Sequence, residues 1–491
     1  MKYLKYYSIV LMMGFIGCSD YLDEQVFTEY DPDAFLNTEA GINAVLTATY
    51  SASSPNYRET WFSFAGWTTD LQIERGGGYA APAATFAEFQ WSASNNFFRN
   101  NWRSIYVAIR NANSLLDNID NVTSISPEKV KALKAEAIFL RAFNYYILYD
   151  FFGGVPIITS TADLDFEPVR ASDEEMKSFI ESELLTAAAG LPTNAGISGK
   201  ATKGAALALL GRFYLNTKQW QKSADALQDV INLSKYELFP DVEGLFSIQN
   251  EGNSELIFVF EKLNTGPGWN YTPHAYPVGF NSGGQVNYGA QFQLWRTFVN
   301  SFDPSDRRAT EYDPPNGKYG WIIKSYTNTG GIFIDLMNDP ITTGVEKKYP
   351  RPVKFTPDPN ALGSQHGNDI PILRYAEVLV SRAEALNEIQ GPNQTSIDLL
   401  NEVRNRAEVT EYQLSDFASK EALRDQILVE RGWEFFTEGL RRQDLIRHGT
   451  FISSAQSRGK TLAMPHHVLF PIPQQERDAN PALTQNPNYA E

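Results

Sequence analysis

Ala135-Glu136-Ala137-Ile138-Phe139-Leu140-Arg141-Ala142-Phe143-Asn144-Tyr145-Tyr146, running on to Phe152-Gly153-Gly154-Val155-Pro156, is the stretch that decides how this chain folds. Across residues 127–152, Ala135, Ile138, Ala142, Tyr145 and Tyr149 fall on one face of a helix. Leu133, Ala137, Leu140 and Leu148 fall on another. A helix that is apolar on two faces is sandwiched between neighbours. Ser126-Pro127 opens it, and Gly153-Gly154 with Pro156 closes it. The helix upstream, over 97–120, reaches it through Ile119-Asp120-Asn121, so the two form a helical pair.

The same pattern extends in both directions. Residues 36–52 open on Asn37-Thr38-Glu39, a plausible cap, and residues 173–190 carry a further helical period. Ala206–Ile231 reads as helix–turn–helix, with Leu207, Leu210, Gly211 and Tyr214, then Trp220, Ala224, Leu227 and Ile231. This spacing is similar to a tetratricopeptide unit, and residues 372–408 repeat it in degenerate form. The fold class predicted is mainly α, a scaffold of tetratricopeptide-like helical hairpins. Such hairpins stack into one curved core. Helical period is lost over 53–96 and 234–370, which are rich in Gly, Pro, Asn and aromatics. Strand-like runs appear in the second at Glu255–Glu261, Trp321–Tyr326, Ile332–Leu336 and Val353–Phe355. Long irregular segments in a compact protein are functional or disordered, and aromatic content argues against disorder.

Among 491 residues there is one cysteine. Cys18 follows Lys2, Lys5 and the apolar run Ile9-Val10-Leu11-Met12-Met13-Gly14-Phe15-Ile16-Gly17. That is a secretory leader, too short to span a bilayer. Gly17 before Cys18 looks like the lipobox of a bacterial lipoprotein, in which the cysteine becomes the acylated first residue. An ordinary leader with a chance cysteine is the competing reading, and no second cysteine exists to pair with Cys18. The layout expected is a leader at 1–17, an acidic tether at 18–35 and one body at 36–491. The scaffold of that body covers about 36–52, 97–233 and 371–450, and the loop-rich ligand-binding insertions about 53–96 and 234–370. The net charge of −16 argues against a nucleic-acid binder and disfavours polyanionic ligands.

Several blocks resemble one family. Alongside the opening stretch stand Trp102-Arg103-Ser104-Ile105-Tyr106 with Ile109 and Asn113, then Ile372-Leu373-Arg374-Tyr375-Ala376-Glu377-Val378-Leu379, and then Arg382-Ala383-Glu384-Ala385-Leu386-Asn387. Glu430-Arg431, Glu434-Phe435, Glu438-Gly439, Arg441, Asp444-Leu445 and Phe470-Pro471-Ile472-Pro473-Gln474-Gln475-Glu476 follow in order, with Asn480-Pro481 and Gln485-Asn486-Pro487. Together these resemble the SusD/RagB family of outer-membrane lipoproteins. The resemblance implies a lipid-anchored body on the outer face of the outer membrane. It implies capture of an oligo- or polysaccharide, delivery to a SusC-like TonB-dependent barrel transporter, and no bond cleavage. Some relatives handle peptides, so a peptide-binding lid is one alternative and a surface glycosidase another.

The residues themselves argue against catalysis. Glu430, Glu434 and Glu438 recur every four positions, but carboxylates on one helix face are a poor clamp for a polymer. Ion pairs with Arg431, Arg441 and Arg442 along the same helix are the preferred reading. Glu136 with Arg141, and Arg374 with Glu377, read likewise as scaffold pairs. His274, His366, His448, His466 and His467 lack zinc spacing, and Gly76-Gly77-Gly78 precedes no phosphate-binding helix. No cofactor and no metal is expected. A sugar offers apolar C–H faces and a rim of hydroxyls, so its binders are flat aromatic rings with amide, carboxylate or guanidinium partners. The first loop region supplies Trp61, Trp67, Asp70, Gln72, Arg75, Tyr79, Trp91, Asn95 and Asn96. The second supplies Trp269, Asn270, Tyr271, Tyr276, Tyr288, Trp295 and Trp321. The candidates singled out are Trp67, Asp70, Arg75, Trp91, Asn96, Trp269 and Trp321, with a neutral glycan as ligand and at least two tryptophans on one exposed platform. For any single tryptophan, anchoring its loop to the helices is the commoner role.

Overall fold

The computed structural model describes residues 35–55, 66–74, 80–162, 165–266, 268–289, 292–340 and 349–490. Cys18, the tether, Trp61, Arg75, Gly76-Gly77-Gly78 and Tyr79 lie outside the described residues. The long helices are α1 (Glu39–Ser53), α2 (Asn96–Asn118), α3 (Pro127–Phe152), α4 (Asp173–Gly190), α5 (Lys203–Asn216), α6 (Trp220–Asn232), α7 (Tyr375–Gln390), α8 (Gln394–Arg406) and α9 (Lys420–Phe435). Their starts carry the expected chemistry. Thr38 caps α1, Ser126 caps α3 ahead of Pro127, and Ser172 forms a reciprocal box with Glu175 at α4.

Each helix packs on the next, from α1 on α2 through to α7 on α8 and α9. Residues 233–374 loop out between α6 and α7, yet α6 packs directly on α7, so the stack closes across the insertion. At the α5–α6 crossing a Cβ on Gly211 would stand 2.4 Å from a Leu227 methyl, which explains the glycine there. As its two apolar faces require, α3 is buried along most of its length, with Phe139, Leu140, Phe143, Tyr145 and Leu148 fully enclosed.

The strands are short and pair two by two, all antiparallel. β1 (Gln72–Glu74) pairs with β3 (Phe292–Leu294), and β2 (Leu256–Phe260) with β10 (Ile370–Arg374). β4 (Tyr312–Asp313) pairs with β5 (Lys318–Tyr319), β6 (Ile322–Ile323) with β9 (Arg351–Pro352), and β7 (Ser325–Thr327) with β8 (Phe333–Asp335). The expected run at Val353–Phe355 is not strand; pairing falls instead on Arg351–Pro352, just before it. The β1–β3 pair joins the two loop-rich stretches, with Gln72 opposite Leu294 and Glu74 opposite Phe292.

Glu430 and Glu434 of α9 are buried and paired, as is Glu438, which lies beyond the end of the helix at Phe435 rather than on it, but their partners come from across the fold. Arg308 of the insertion donates to Glu430 and Glu434, and Arg404 to Glu430. Arg374 reaches Glu434 and Glu438, and Lys354 of the insertion reaches Glu438. Arg431, Arg441 and Arg442 turn elsewhere, to Asp444, Asp70 and Asp150. The reading of pairs along the helix is therefore corrected. These side chains point inward, where neighbouring elements approach more closely than the next turn. Likewise Glu136 accepts from Tyr50 and Arg141 pairs with Glu183, while Glu377 pairs with Arg212. Burial raises the Glu434 carboxyl and pulls the Lys354 ammonium down to about 8. For Glu434 the surrounding Arg406, Arg374 and Arg308 more than reverse this, holding it well below the usual carboxylate range.

Candidate functional site

The four tryptophans singled out from the sequence are core. Trp67 and Trp91 both pack on Phe86, with ring centroids 5.6 and 5.8 Å away. Trp269 packs on Phe355 at 4.4 Å, and Trp321 on Phe246 at 5.8 Å. None is more than 6% exposed, and they form no outward shelf. The physical reason is anchoring: irregular segments have few regular hydrogen bonds, and an indole buries more apolar surface than any other side chain. Asp70 is tied up as well, accepting from Arg441 Nε and Nη2 at 2.8 Å each. Burial would raise its carboxyl, but the Arg441 hydrogen bonds hold it below its ordinary value. Asn96 is exposed at the first turn of α2, away from the clefts described below.

The central insertion supplies a different aromatic surface. β4 and β5 form a hairpin whose turn, Pro314–Asn316 with Gly317, needs the left-handed backbone that Gly317 adopts at φ 72°. The hairpin sets Tyr312 opposite Tyr319, with ring centroids 6.3 Å apart and planes at 76°. Phe280 lies 6.4 Å from Tyr312 and stacks on Tyr276 at 5.3 Å. Exposure rises along this row from 1% at Tyr276 and 7% at Tyr312 to 51% at Tyr319, so the inner rings brace the outer one.

The row lines an open cleft of about 760 Å³. One further wall is the segment holding Asp241, Glu243 and Asn250, and another holds Pro357 and Pro359. Asn281 and Gln285 complete a polar rim, and Gln285 accepts from the Tyr276 hydroxyl at 3.0 Å. Arg307 steadies the acidic wall, standing 3.8 Å from Asp241, 3.6 Å from Glu243 and 3.1 Å from Glu408. Flat rings beside amides and carboxylates can hold a hydroxyl-rich ring by stacking and hydrogen bonding. The cleft's volume is within the usual range for a small-molecule site.

Of the residues considered from the sequence, Tyr276 lines this cleft; Phe280, Tyr312 and Tyr319 were missed. A signal existed in Tyr312-Asp313-Pro314-Pro315-Asn316-Gly317-Lys318-Tyr319, two tyrosines flanking a turn. The histidines are packed: His467 lies 4.7 Å from Trp91, and His448 pairs with Glu384. Among the described residues no three His, Cys, Asp or Glu side chains are grouped to hold a metal.

Stacked helical hairpins interrupted by one large insertion that carries a ring-lined cleft define a helical scaffold protein with a candidate ligand site. Residues 295–489 match the family described as "SusD family", and residues 20–215 one described as "Starch-binding associating with outer membrane". The chain is 27% identical to SusD-like protein P2 of Formosa agariphila, over 100% of both chains. It is 26% identical to the starch-binding protein SusD of Bacteroides thetaiotaomicron, over 81% of this chain and 80% of that one. A solved laminarin-binding SusD-like protein superposes with a TM-score of 0.77 at 23% identity, covering 92% of this chain and 100% of that one, a likeness of fold. The chain belongs to the SusD/RagB family. Proteins of this family bind glycans and do not cleave them.

Proposed function

We propose that this protein captures a neutral oligo- or polysaccharide at the cell surface in the cleft between Tyr319 and the Asp241–Asn250 wall. In this reading the glycan passes to a SusC-like TonB-dependent barrel, and acylated Cys18 holds the body to the outer membrane. The observation that carries it is the row of rings ending at Tyr319, facing an amide and carboxylate rim. The relatives named for starch and laminarin binding support a glucan as the first ligand to try. The acidic wall and the net charge of −16 favour neutral over uronate-rich chains. Affinity gel electrophoresis against laminarin, amylopectin and other neutral glycans tests it: retardation by at least one, weakened in Tyr319→Ala, is expected. No retardation by any glycan, with binding of a mixed oligopeptide pool in calorimetry, would favour a peptide lid.

A further inference from the structure

A second cleft, of about 930 Å³, opens beside the first. The segment 356–368 is the wall they share: Pro357 and Pro359 line one cleft and Gln365 the other. That wall is pinned from within. Asp358 N–H donates to His366 Nδ1 at 3.1 Å, and the Asp358 carboxylate accepts from Gly367 N–H at 3.0 Å. His366 and Trp269 exchange backbone hydrogen bonds at 2.8 and 3.0 Å. Its crest, Pro359, Asn360, Leu362 and Gly363, is exposed.

On the far side, Leu46, Ile197 and Phe260 supply apolar wall, Thr47, Ser51 and Gln365 supply hydroxyl and amide groups, and Lys200, Glu261 and Lys262 add charge; the buried Trp269 backs this cleft. Ile197 is 63% exposed at the mouth, and the nearby Leu263 is 66% exposed. Both clefts thus set hydroxyl and amide groups beside apolar surface, though the first has the exposed tyrosine and the second the lysines. A polymer longer than the first cleft extends beyond it, and the second concave surface lies across the exposed crest. We propose that the second cleft is an outlying subsite for the same glycan chain, engaged only by ligands long enough to cross the ridge. This rests on the reading of the first cleft. Two linked contacts on one chain raise retention without new chemistry at either.

The test compares trisaccharides with polymers. Laminaritriose and laminarin, and maltotriose and amylopectin, are titrated against the wild type, Ser51→Trp and Thr47→Trp. Both positions are exposed on α1, so an indole there fills the second cleft without entering the core; Ala48→Trp, exposed outside the cleft, is the control. Melting curves confirm that all four fold. The polymer is expected to bind the wild type and Ala48→Trp roughly tenfold tighter per site than the trisaccharide. That ratio should collapse toward one in both plugged variants, with trisaccharide affinity unchanged. An undiminished ratio in both plugged variants overturns the second subsite alone. Trisaccharide affinity left unchanged by Tyr319→Ala overturns the reading of the first cleft instead. Binding of an oligopeptide pool that only the plugs abolish overturns the proposal in favour of a peptide site.

Discussion

Tyr319 and Trp321 stand two positions apart and have opposite fates. The tyrosine is half exposed at the rim of the first cleft, while the indole is fully enclosed, with the Lys354 ammonium 4.4 Å from its ring centre. Tyr319→Ala should weaken glycan binding about tenfold with an unchanged melting temperature, a loss of one good stacking contact. Trp321→Ala should cost about 3–5 kcal/mol of stability, as truncation of a buried indole does. Calorimetry and denaturant titration separate the two. Composition makes these residues equally attractive, because a sugar-stacking ring and a loop anchor are the same chemical object. Only packing tells them apart, which is why the sequence reading singled out Trp321 and passed over Tyr319. His366 gives a pH signature at this scale. Burial lowers its pKa to about 4, and its Nδ1 must stay unprotonated to accept from Asp358. Between about pH 6.5 and 4 the unfolded chain holds the extra proton, so stability falls as pH falls through that window. Melts at pH 7 and pH 4.5 should show a contribution of about 2 kcal/mol that His366→Asn lacks.

Among the elements, α3 is the best case of sequence dictating structure. Its cap, its Pro127 start and its glycine stop fix the ends, and two apolar faces fix its place between α2 and α4. The two-residue strands are the opposite case. No period can be read over two residues, and their register is set by loops packed around Trp321 and Phe355. Glu430, Glu434 and Glu438 fall between these cases: a structural role as ion pairs was expected, but with the wrong partners, because Arg308 and Lys354 lie far off in the chain. Removing one member of such a cluster strands charges without water. Arg308→Met should therefore cost about 3–5 kcal/mol, far more than removing an exposed pair such as Lys129 with Glu39. Urea denaturation of the two variants gives the comparison.

For the whole molecule, the proposed attachment through Cys18 is distinct from recognition in the cleft. Cys18→Ser should move the protein from the membrane fraction to the soluble fraction while glycan affinity stays unchanged, read by cell fractionation and gel retardation. The outline of a helical body with two irregular regions was readable from hydrophobic period alone; that β1 and β3 would sew those regions together was not, since the strands are three residues each. The far end of the chain is stitched to its beginning as well. Phe470 N–H donates to the carbonyl of Phe151, Trp91 Nε1 to the Tyr489 hydroxyl, and Arg170 to Asn486. A polypeptide that leaves the ribosome amino end first thus waits, with its earliest hairpins unsealed, until the last twenty or so residues arrive to fasten them. Lateness is built into the architecture: a premature stop before Phe470 leaves the earlier helices without these fastenings.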